Sequence, residues 1–293
     1  MKGLSIIIPS FNTKKITKQC ITALNGVLLN NKIPYQIIVV DNSSTDGSQI
    51  MLQEVKNPRL FTVFNSENKG YGKANNQGLK IASMDYVLFL NSDVLVDKQM
   101  DFSKLIHFFE THEKIGGLTV KVNLINGSID PASHRGFPTP WRSLCYFIGF
   151  ERLFSKIPIV NRLFGGYHLV FLDKKSTHEI DSPTGAFFMV SRSLLQELHG
   201  FDEDFFMYGE DLDLSFRIKE KGYKIIYLPT FQVLHYKYQS GLQNKKNQEL
   251  RKKIRKSFYE AMATFYKKHY ERVYPPIVNR LIYFLIRLKT NQL

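Results

Sequence analysis

The stretch LSIIIPS, Leu4–Ser10, is apolar through its centre and ends on a proline and a serine. Similar runs follow at residues 36–41 (QIIVVD), 60–64 (LFTVF) and 86–91 (YVLFLN). Strands that are apolar at nearly every position, and not only at every second one, are typical of a parallel sheet covered on both faces. LSIIIPS therefore predicts the first strand of such a sheet.

Longer segments with helical periodicity separate these runs, at residues 13–30, 46–55, 73–83 and 98–110. The alternation predicts an α/β fold with a mostly parallel, Rossmann-like central sheet and helices on both faces. Further along, DSPTGAFFMV and YKIIYLP predict two more strands, and EDLDLSFRIKEK predicts a helix that ends at Gly222. With 293 residues, the chain has room for one large domain and an extension.

Cysteine content and hydropathy argue against several classes of protein. The two cysteines, Cys20 and Cys145, are far apart in the sequence. A disulfide framework or zinc site is therefore not expected, and a reducing, cytoplasmic setting is favoured. The apolar run that ends at Pro9 is too short for the core of a signal peptide. No stretch of sequence contains the about 20 apolar residues that a bilayer span requires.

Polar residues stand where the predicted strands end. The sequence reads SFN at residues 10–12, DNS at 41–43 and NSD at 91–93. In open α/β sheets, ligands bind beyond the carboxyl ends of the strands. Asn, Asp and Ser are also ordinary turn residues, and for Asp41 alone that alternative stays open. The three sites together favour a shared ligand cleft.

Several nucleotide-binding motifs are missing from this cleft. No Gly-x-x-x-x-Gly-Lys loop occurs, and GYGKAN at residues 70–75 has Asn75 in place of the third glycine of a dinucleotide fingerprint. A methyltransferase would be expected to place glycines after the first strand, where this chain has PSFNTKK. The remaining hypothesis is a nucleotide site in which a metal ion, and not a glycine-rich loop, neutralises the diphosphate.

The run FLNSDV supplies a candidate metal ligand. Magnesium is usually held by one or two carboxylates together with substrate phosphates, and Asp93 could be such a carboxylate, with Asn91 as a neutral neighbour. Capping of the following helix is the alternative role for Asp93. His235 is a second candidate ligand, although a histidine among apolar residues is commonly a hydrogen-bonded structural residue.

The stretch FMYGEDLDLSFR gathers Glu210, Asp211 and Asp213 in a chain of net charge +14. Acidic residues in a first helical turn complement the helix dipole, which accounts for one carboxylate more readily than for three. A carboxylate beside an apolar wall and a like charge gains proton affinity, as a general base requires. We predict that Asp211 accepts a proton from an attacking hydroxyl and that Glu210 orients Asp211 or the acceptor. Asp213 is expected to be structural, paired with Arg217.

These motifs together resemble the family 2 inverting glycosyltransferases of the GT-A fold, from Leu4 to about Ser240. The similarity rests on SIIIPSFN, IIVVDNSSTDGS, NKGYGKANNQG, LFLNSD, SPTGAFFMVSR and GFDEDFFMYGEDLDLSFRIKEKGY, in that order. Within the family, the chain is most similar to bacterial rhamnosyltransferase-type enzymes of surface polysaccharide synthesis. The resemblance implies transfer of a sugar from dTDP-rhamnose or a UDP-sugar, with Mg²⁺ or Mn²⁺, to a hydroxyl of a glycan or of a polyprenyl-diphosphate-linked acceptor.

The resemblance also implies roles for individual residues. The nucleotide-sugar site would comprise Pro9, Asn12, Asp41, Asn68, Gly70, Asn75, Asn91 and Ser92. The acceptor side would comprise Gly185 and Ala186, the metal ligands Asp93 and His235, and the catalytic pair Asp211 and Glu210. Asn91 departs from the family pattern because it replaces the first acid of the Asp-x-Asp motif, so the metal would have one carboxylate fewer.

The basic charge is concentrated near the C-terminus. Residues 236–293 hold 14 Lys and Arg against three Glu, a net charge of +11. The segment YPPIVNRLIYFLIRLKTNQL places Leu281, Leu285 and Leu288 on one helical stripe flanked by cations. It predicts an amphipathic helix on an anionic membrane, in a basic extension (241–293) that follows the catalytic domain (1–240). Nucleic acid is not predicted as a partner, because it would leave the apolar stripe uncovered.

Residues 141–171, WRSLCYFIGFERLFSKIPIVNRLFGGYHLVF, are similarly aromatic and basic. They predict either an acceptor-side flap or a membrane-facing ridge. An ordinary core helix under a solvated basic face is the alternative for both segments. The predicted location is the cytoplasmic, inner face of the cell membrane, as a peripheral protein.

Two other functions compete with glycosyl transfer. A nucleotidyltransferase would normally show a glycine- and arginine-rich phosphate loop after the first strand, and the sequence has none. A non-catalytic carbohydrate- or lipid-binding module would not need the acids Asp41, Asp93 and Asp211.

Overall fold

The computed structural model describes residues 2–237 and 248–291. The strands are β1 Leu4–Ser10, β2 Tyr35–Asp41, β3 Leu60–Phe64, β4 Tyr86–Leu90, β5 Val94–Val96, β6 Ile115–Leu124, β7 His178–Ile180, β8 Phe187–Ser191 and β9 Lys224–His235. The helices are α1 Lys14–Leu28, α2 Ser48–Glu54, α3 Tyr71–Ile81, α4 Phe102–Thr111, α5 Pro140–Phe147, α6 Phe150–Phe154, α7 Val160–Phe164, α8 Arg192–Glu197, α9 Glu210–Glu220, α10 Gln248–His269 and α11 Pro276–Asn291.

One sheet joins these strands in the order β3-β2-β1-β4-β8-β6-β9-β5, and β7 pairs with β9 off this path. The first four strands of that order are all parallel. Strand β8 runs antiparallel to both β4 and β6, whereas β6 and β9 are parallel. The predicted α/β fold is confirmed, and the antiparallel insertion of β8 is a feature that the sequence did not reveal.

Helices cover both faces of the sheet. On β1, Ile6 and Ile8 pack into one cluster with α1 and α4, and Ile7 packs into the other cluster with α3 and α9. Successive side chains of a strand point to opposite faces, so a strand covered on both sides must be apolar at consecutive positions. This burial explains the unbroken apolar run that opens the sequence.

Several elements differ in length from the sequence-based expectation. Helix α3 begins at Tyr71, two residues earlier than predicted, because Gly70 turns the chain at a φ of +87°. In DSPTGAFFMV the strand is limited to Phe187–Ser191. Strand β9 continues six residues past Pro229 to His235, where it pairs with Val94 of β5. That extension carries His235 to the edge where the first strands end.

The C-terminal helices pack on the catalytic domain and form a small core of their own with it. Phe265 and Tyr266 of α10, and Tyr270 directly after it, are buried together with Phe205. His269 Nε2 lies 2.8 Å from Asp213 Oδ1 on α9. The predicted boundary between residues 240 and 241 lies outside the described residues, as does part of the basic run from 245 to 256. In residues 2–237 and 248–291, no helix is both long and apolar enough to cross a bilayer.

We predict that Phe265→Ala lowers the free energy of unfolding by about 3–5 kcal/mol, because it empties a buried site between α10 and α9. Phe265 is 3% exposed, whereas Phe258, about two turns earlier on the same helix, is 40% exposed. Chemical denaturation of both alanine variants measures the difference, with Phe258→Ala as the control. Equal, small losses in both would mean that α10 does not pack on the domain.

Candidate active site

Parallel pairing brings the carboxyl ends of β1 and β2 together. Ser10 pairs with Asp41, and Pro9 pairs with Val40. The N–H of Asn42 donates to the Ser10 carbonyl at 2.8 Å. Asn12, at a φ of +53°, accepts a hydrogen bond from the N–H of Thr45 at 2.7 Å. Pro9 and Asn12 therefore shape the loop that follows Asp41.

Asp41 is fully buried at the end of β2. Its Oδ1 accepts hydrogen bonds from the Ser44 N–H and from Gln49 Nε2, both at 2.9 Å. Its Oδ2 has no hydrogen-bond partner among the described residues. Buried polar atoms almost always have a hydrogen-bond partner, so this oxygen is suited to accept a hydrogen bond from a ligand.

The loop before α3 is held in place by both neighbouring strands. Asn68 Oδ1 accepts from the Gly70 N–H at 3.0 Å, and Asn42 Nδ2 donates to the Gly70 carbonyl at 3.1 Å. A side chain at Gly70 would be impossible, since its Cβ would lie 2.5 Å from the Phe206 carbonyl oxygen. The sequence placed Asn42 at the polar end of β2 but did not reveal its contact with Gly70, which lies 28 residues away.

Tyr71 is a second residue that the sequence did not reveal. Its hydroxyl donates to the Gly185 carbonyl at 2.8 Å, which ties α3 to the predicted acceptor side. Burial raises the pKa of Tyr71 well above its ordinary value, and the charges of Glu210, Asp211 and Asp93 raise it further. One phenol thus lies within electrostatic range of the predicted base pair and the predicted metal ligand.

Three further residues predicted to bind the nucleotide sugar belong to this part of the site. Asn75, fully buried on α3, donates from Nδ2 to the Tyr71 carbonyl at 3.0 Å and keeps its Oδ1 unpaired within the described part of the chain. The N–H of Asn91 donates to the Ala186 carbonyl at 3.2 Å. Ser92 is 3.1 Å from the Thr13 hydroxyl, so it anchors the loop to the start of α1.

Asp93 and His235 lie next to each other and form a second wall of the candidate site, apart from the ends of β1 and β2. His235 Nε2 is 3.3 Å from Asp93 Oδ1, and its Nδ1 is 2.9 Å from Asp130 Oδ2. Lys237 donates to the other oxygen of Asp130 at 2.7 Å. Burial lowers the pKa of His235, but the hydrogen bonds to Asp130 and Asp93 outweigh it and raise that pKa to about 9. Asp130 was missed because no motif surrounds it.

The residues at this wall fit a divalent cation that substrate phosphates help to hold. No group of three or more His, Cys, Asp or Glu side chains able to bind a metal occurs in residues 2–237 and 248–291. Asp93 supplies one carboxylate, and Asn91 Oδ1 is a buried oxygen with no partner in the described structure. Orientation of His235 by Asp130 is the usual support for a metal-binding imidazole. An oxygen-rich, incomplete donor set of this kind suits Mg²⁺ or Mn²⁺ bound with a diphosphate.

The predicted base lies under a buried arginine. Arg135 Nη2 donates to Asp211 Oδ2 at 2.9 Å and to the Pro183 carbonyl at 2.8 Å. The N–H of Gly185 donates to the same carboxylate oxygen at 3.2 Å. Arg135 escaped the sequence analysis because it stands 76 residues from Asp211.

Glu210 begins α9 and is also buried, with its Oε2 unpaired as far as the described residues extend. Burial raises the pKa of Glu210 to about 8, and the charge of Asp211 contributes in the same direction. The two predicted acids therefore differ in their surroundings. Asp211 is held by hydrogen-bond donors, whereas Glu210 favours its protonated form. Asp213 is paired with Arg217 at 2.8 Å, which confirms its structural role.

The structure thus links the predicted residues along one edge of the sheet. Hydrogen bonds run from Asn91 to Ala186, and the adjoining Gly185 contacts both Tyr71 and Asp211. Four of the buried oxygens without partners in the described chain belong to Asp41, Asn75, Asn91 and Glu210; the other, Tyr283 Oη, lies in the small C-terminal core. An α/β sheet whose strand ends meet a buried acid pair in this way has the architecture of a GT-A glycosyltransferase.

A family model described as glycosyl transferase family 2 matches residues 5–198. The chain therefore belongs to glycosyl transferase family 2, and it is a glycosyltransferase.

Two relatives of known function and one solved structure illustrate this similarity. N-acetylglucosaminyl-diphospho-decaprenol L-rhamnosyltransferase of Mycobacterium tuberculosis is 28% identical over 229 residues, 74% of this chain and 71% of the relative. Poly-beta-1,6-N-acetyl-D-glucosamine synthase of Staphylococcus aureus is 24% identical over 230 residues, which span 78% of this chain but only 48% of the synthase. The mannosyltransferase PcManGT of Pyrobaculum calidifontis, solved with GDP-Man and Mn²⁺, shares the fold with a TM-score of 0.56 and 15% identity, over 98% of this chain and 68% of that one.

We predict that Glu210→Gln stabilises the protein increasingly as the pH rises. Between the ordinary pKa of 4.5 and the folded-state pKa of about 8, the folded protein keeps a proton on Glu210 that the unfolded chain has lost. The free energy of unfolding of the parent therefore falls as the pH rises through that window, and glutamine abolishes this cost. Melting temperatures at about pH 4.5 and about pH 8.5 should show a gain of at least about 3 °C only at the higher pH.

Glu220→Gln, at the exposed end of the same helix, is the matched control and should show no such pH-dependent gain. A Glu210→Gln variant that is less stable than the parent at both pH values would contradict the raised pKa.

Proposed function

We propose that this glycosyltransferase transfers a sugar from a nucleotide-diphosphate donor to a hydroxyl acceptor by a single, inverting displacement in the synthesis of a cell-surface polysaccharide. This proposal rests mainly on the buried oxygens without hydrogen-bond partners along the candidate cleft, which belong to Asp41, Asn75, Asn91 and Glu210. Leaving such atoms unpaired costs free energy in a protein without a ligand, so their alignment supports a preformed binding cleft.

The nucleotide end of the donor is assigned to the ends of β1 and β2. Asp41 would accept hydrogen bonds from the base or ribose through its unpaired Oδ2. Asn68 and Gly70 form the adjacent loop, which is fixed where Gly70 packs against the backbone of Phe206. Asn75 would add a second amide oxygen to this side of the cleft.

The diphosphate end is assigned to the wall of Asp93, Asn91 and His235. A bound Mg²⁺ or Mn²⁺ would act there as a Lewis acid and stabilise negative charge on the departing diphosphate. Asp93 and Asn91 would supply oxygen ligands, and Asp130 keeps the His235 ring oriented toward Asp93. The complex of PcManGT with GDP-Man and Mn²⁺ supports a divalent cation in this fold.

Asp211 is assigned as the general base. Its Oδ2 is fixed by Arg135 and the Gly185 N–H, so the carboxylate points in one direction without reorganisation. Burial and the negative charge of Asp211 raise the pKa of the neighbouring Glu210 against the opposing charge of Arg135, so Glu210 would remain protonated and hydrogen-bond the acceptor through Oε2. The acceptor hydroxyl would lose its proton to Asp211 while its oxygen attacks the anomeric carbon.

The donor is proposed to be dTDP-rhamnose or a UDP-sugar, and the acceptor a glycan or a polyprenyl-diphosphate-linked sugar. Similarity to the mycobacterial rhamnosyltransferase, whose name specifies a diphospho-decaprenol acceptor, supports this assignment. A nucleotidyltransferase or a non-catalytic binding module is not favoured, because the family match and the buried acid pair both favour glycosyl transfer.

A lipid-linked acceptor would require access to the membrane surface, and α11 supports such contact. Ile277, Leu281, Phe284 and Leu285 are exposed on this helix. The adjoining sequence carries most of the net positive charge of the chain. We therefore place the enzyme at the cytoplasmic face of the membrane, in contact with anionic lipid through α11.

Asp211→Asn should lower the turnover number by about 10²–10⁴-fold, because the amide keeps the shape of the carboxylate but cannot accept the proton. Donor affinity should change by less than about threefold, since the donor is bound at other residues. Radiolabelled transfer measures the first quantity and calorimetry with the nucleotide sugar measures the second.

Asp173→Asn, at an exposed position, is the matched control for this substitution. Wild-type turnover in Asp211→Asn would refute the assignment. If Glu210→Gln were inactive at the same time, the base would be Glu210.

The metal assignment predicts cooperative binding of cation and nucleotide diphosphate. Mn²⁺ together with UDP or dTDP should raise the melting temperature by about 5 °C at saturating ligand, more than the sum of each alone. Asp93→Asn should remove the metal-dependent part, and EDTA should reverse it in the parent. An unchanged Mn²⁺-dependent shift in Asp93→Asn, with Asp173→Asn as control, would contradict the role of Asp93.

A further inference from the structure

Residues 140–164 form an apolar surface that the proposed chemistry does not use. Helices α6 and α7 pack on one another through Phe150, Phe154 and Phe164, and Trp141 of α5 packs on Phe164. Other large apolar side chains of this helical ridge point outward, each at least 46% exposed: Phe147, Ile148, Leu153, Ile157, Ile159 and Leu163. Isolated exposed apolar residues are normal, but a concentration of this kind marks an interaction surface.

The charges of the helical ridge indicate its partner. Arg152, Lys156 and Arg162 are exposed among the apolar residues. The one acidic residue between positions 140 and 164 is Glu151, which is buried and accepts a hydrogen bond from the His168 N–H at 3.0 Å. The exposed charged groups of the ridge are therefore cationic, which complements an anionic lipid surface.

A second copy of the chain is a poorer partner for this surface. A twofold contact would place Arg152, Lys156 and Arg162 of one ridge against the same cations of its copy. Like charges brought together at an interface cost free energy, and no exposed acid on the ridge compensates them in the described structure. An anionic bilayer covers the apolar side chains and the cations at once.

The ridge is attached to the frame that holds the predicted base. Arg142, on α5, contacts Asp181 at 2.7 Å, and the N–H of Gly136 donates to the Tyr167 carbonyl at 2.8 Å. Arg135, the neighbour of Gly136, contacts Asp211 at 2.9 Å. The ridge is thus connected to the acceptor side through a short series of hydrogen bonds.

We propose that the helical ridge is a second membrane contact, which lies in the headgroup region of an anionic bilayer and turns the acceptor side toward lipid. The orientation of the acceptor side toward lipid rests on the proposed function, whereas binding of the ridge to lipid is independent of it. Together with α11 the ridge gives two attachment surfaces, and two weak attachments bind more tightly than either one alone.

The single tryptophan of the chain makes this proposal directly testable. Trp141 lies on the ridge, 46% exposed, with its indole N–H donated to the Leu163 carbonyl at 2.9 Å. The full chain is mixed with vesicles of phosphatidylcholine, with or without phosphatidylglycerol, whose acyl chains are brominated. Anionic vesicles should shift the Trp141 emission to shorter wavelength and quench it about twofold, because the indole enters the interface.

Two multiple substitutions test the apolar and the cationic side chains of the ridge separately. Leu153→Glu/Ile159→Glu should weaken vesicle affinity about tenfold through loss of apolar contact. Arg152→Gln/Lys156→Gln/Arg162→Gln should weaken it about tenfold or more for anionic vesicles and little for neutral ones. Leu29→Glu, at a position that is 73% exposed outside the ridge, is the matched control and should bind like the parent.

An α11 variant separates the ridge from the C-terminal surface. Leu281→Glu/Leu285→Glu should weaken sedimentation with vesicles, yet Trp141 should still be quenched at saturating lipid. Sedimentation of the parent without any change in Trp141 emission would overturn the proposal, as would parental affinity in both ridge variants. A dimer by light scattering that dissociates in Leu153→Glu/Ile159→Glu, without a change in vesicle binding, would instead assign the ridge to self-association.

Transfer to a water-soluble acceptor keeps the two proposals distinguishable. The ridge variants should retain this activity within about twofold, because the substituted side chains are exposed and are not among the residues assigned to the cleft. Ridge variants that lose lipid binding but retain transfer would support the role of the ridge as a membrane contact. Absence of transfer in the parent would count against the proposed function alone.

Discussion

Parallel pairing of β1 with both β2 and β4 is the constraint on which the site depends. It brings the carboxyl ends of three apolar strands to one edge of the sheet, where Ser10 lies beside Asp41 and the Asn91 loop follows β4. The strands are apolar because both faces are covered, so the first polar atoms along each strand occur at this edge. A ligand cleft there is a direct consequence of how the core is built.

Buried charge at that edge is balanced by cations from distant parts of the chain. Arg135 neutralises Asp211, and His235 lies between Asp93 and Asp130, which Lys237 also contacts. Unpaired buried carboxylates would be costly, yet Asp41 and Glu210 each retain an oxygen without a partner in the described residues. The structure thus pairs Asp211, Asp93 and Asp130 with basic side chains and leaves one oxygen each of Asp41 and Glu210 for the substrate that we propose.

The C-terminal helices are part of this architecture as well as the surface that we propose for contact with lipid. His269 contacts Asp213 on the helix that begins with the catalytic pair, and Phe265 packs in the same small core. The exposed stripe of α11 therefore stands on a rigid support. The helical ridge is anchored in the same way, through Arg142 and Asp181. Both apolar surfaces are joined to the cleft by packed structure.

The sequence alone determined the alternation of the first four strands with helices, the polar strand ends and the acid pair, because these are local patterns of hydropathy and charge. It could not reveal Arg135, Asp130 or Tyr71, since their partners lie at least 76 residues away in the chain. It also could not reveal that Arg135 hydrogen-bonds Asp211 while Glu210 Oε2 is left without a partner in the described residues, because both features depend on folding. Local sequence specified which residues the protein has at the cleft; only the tertiary structure decided which of them are paired, because pairing depends on distances that folding alone creates.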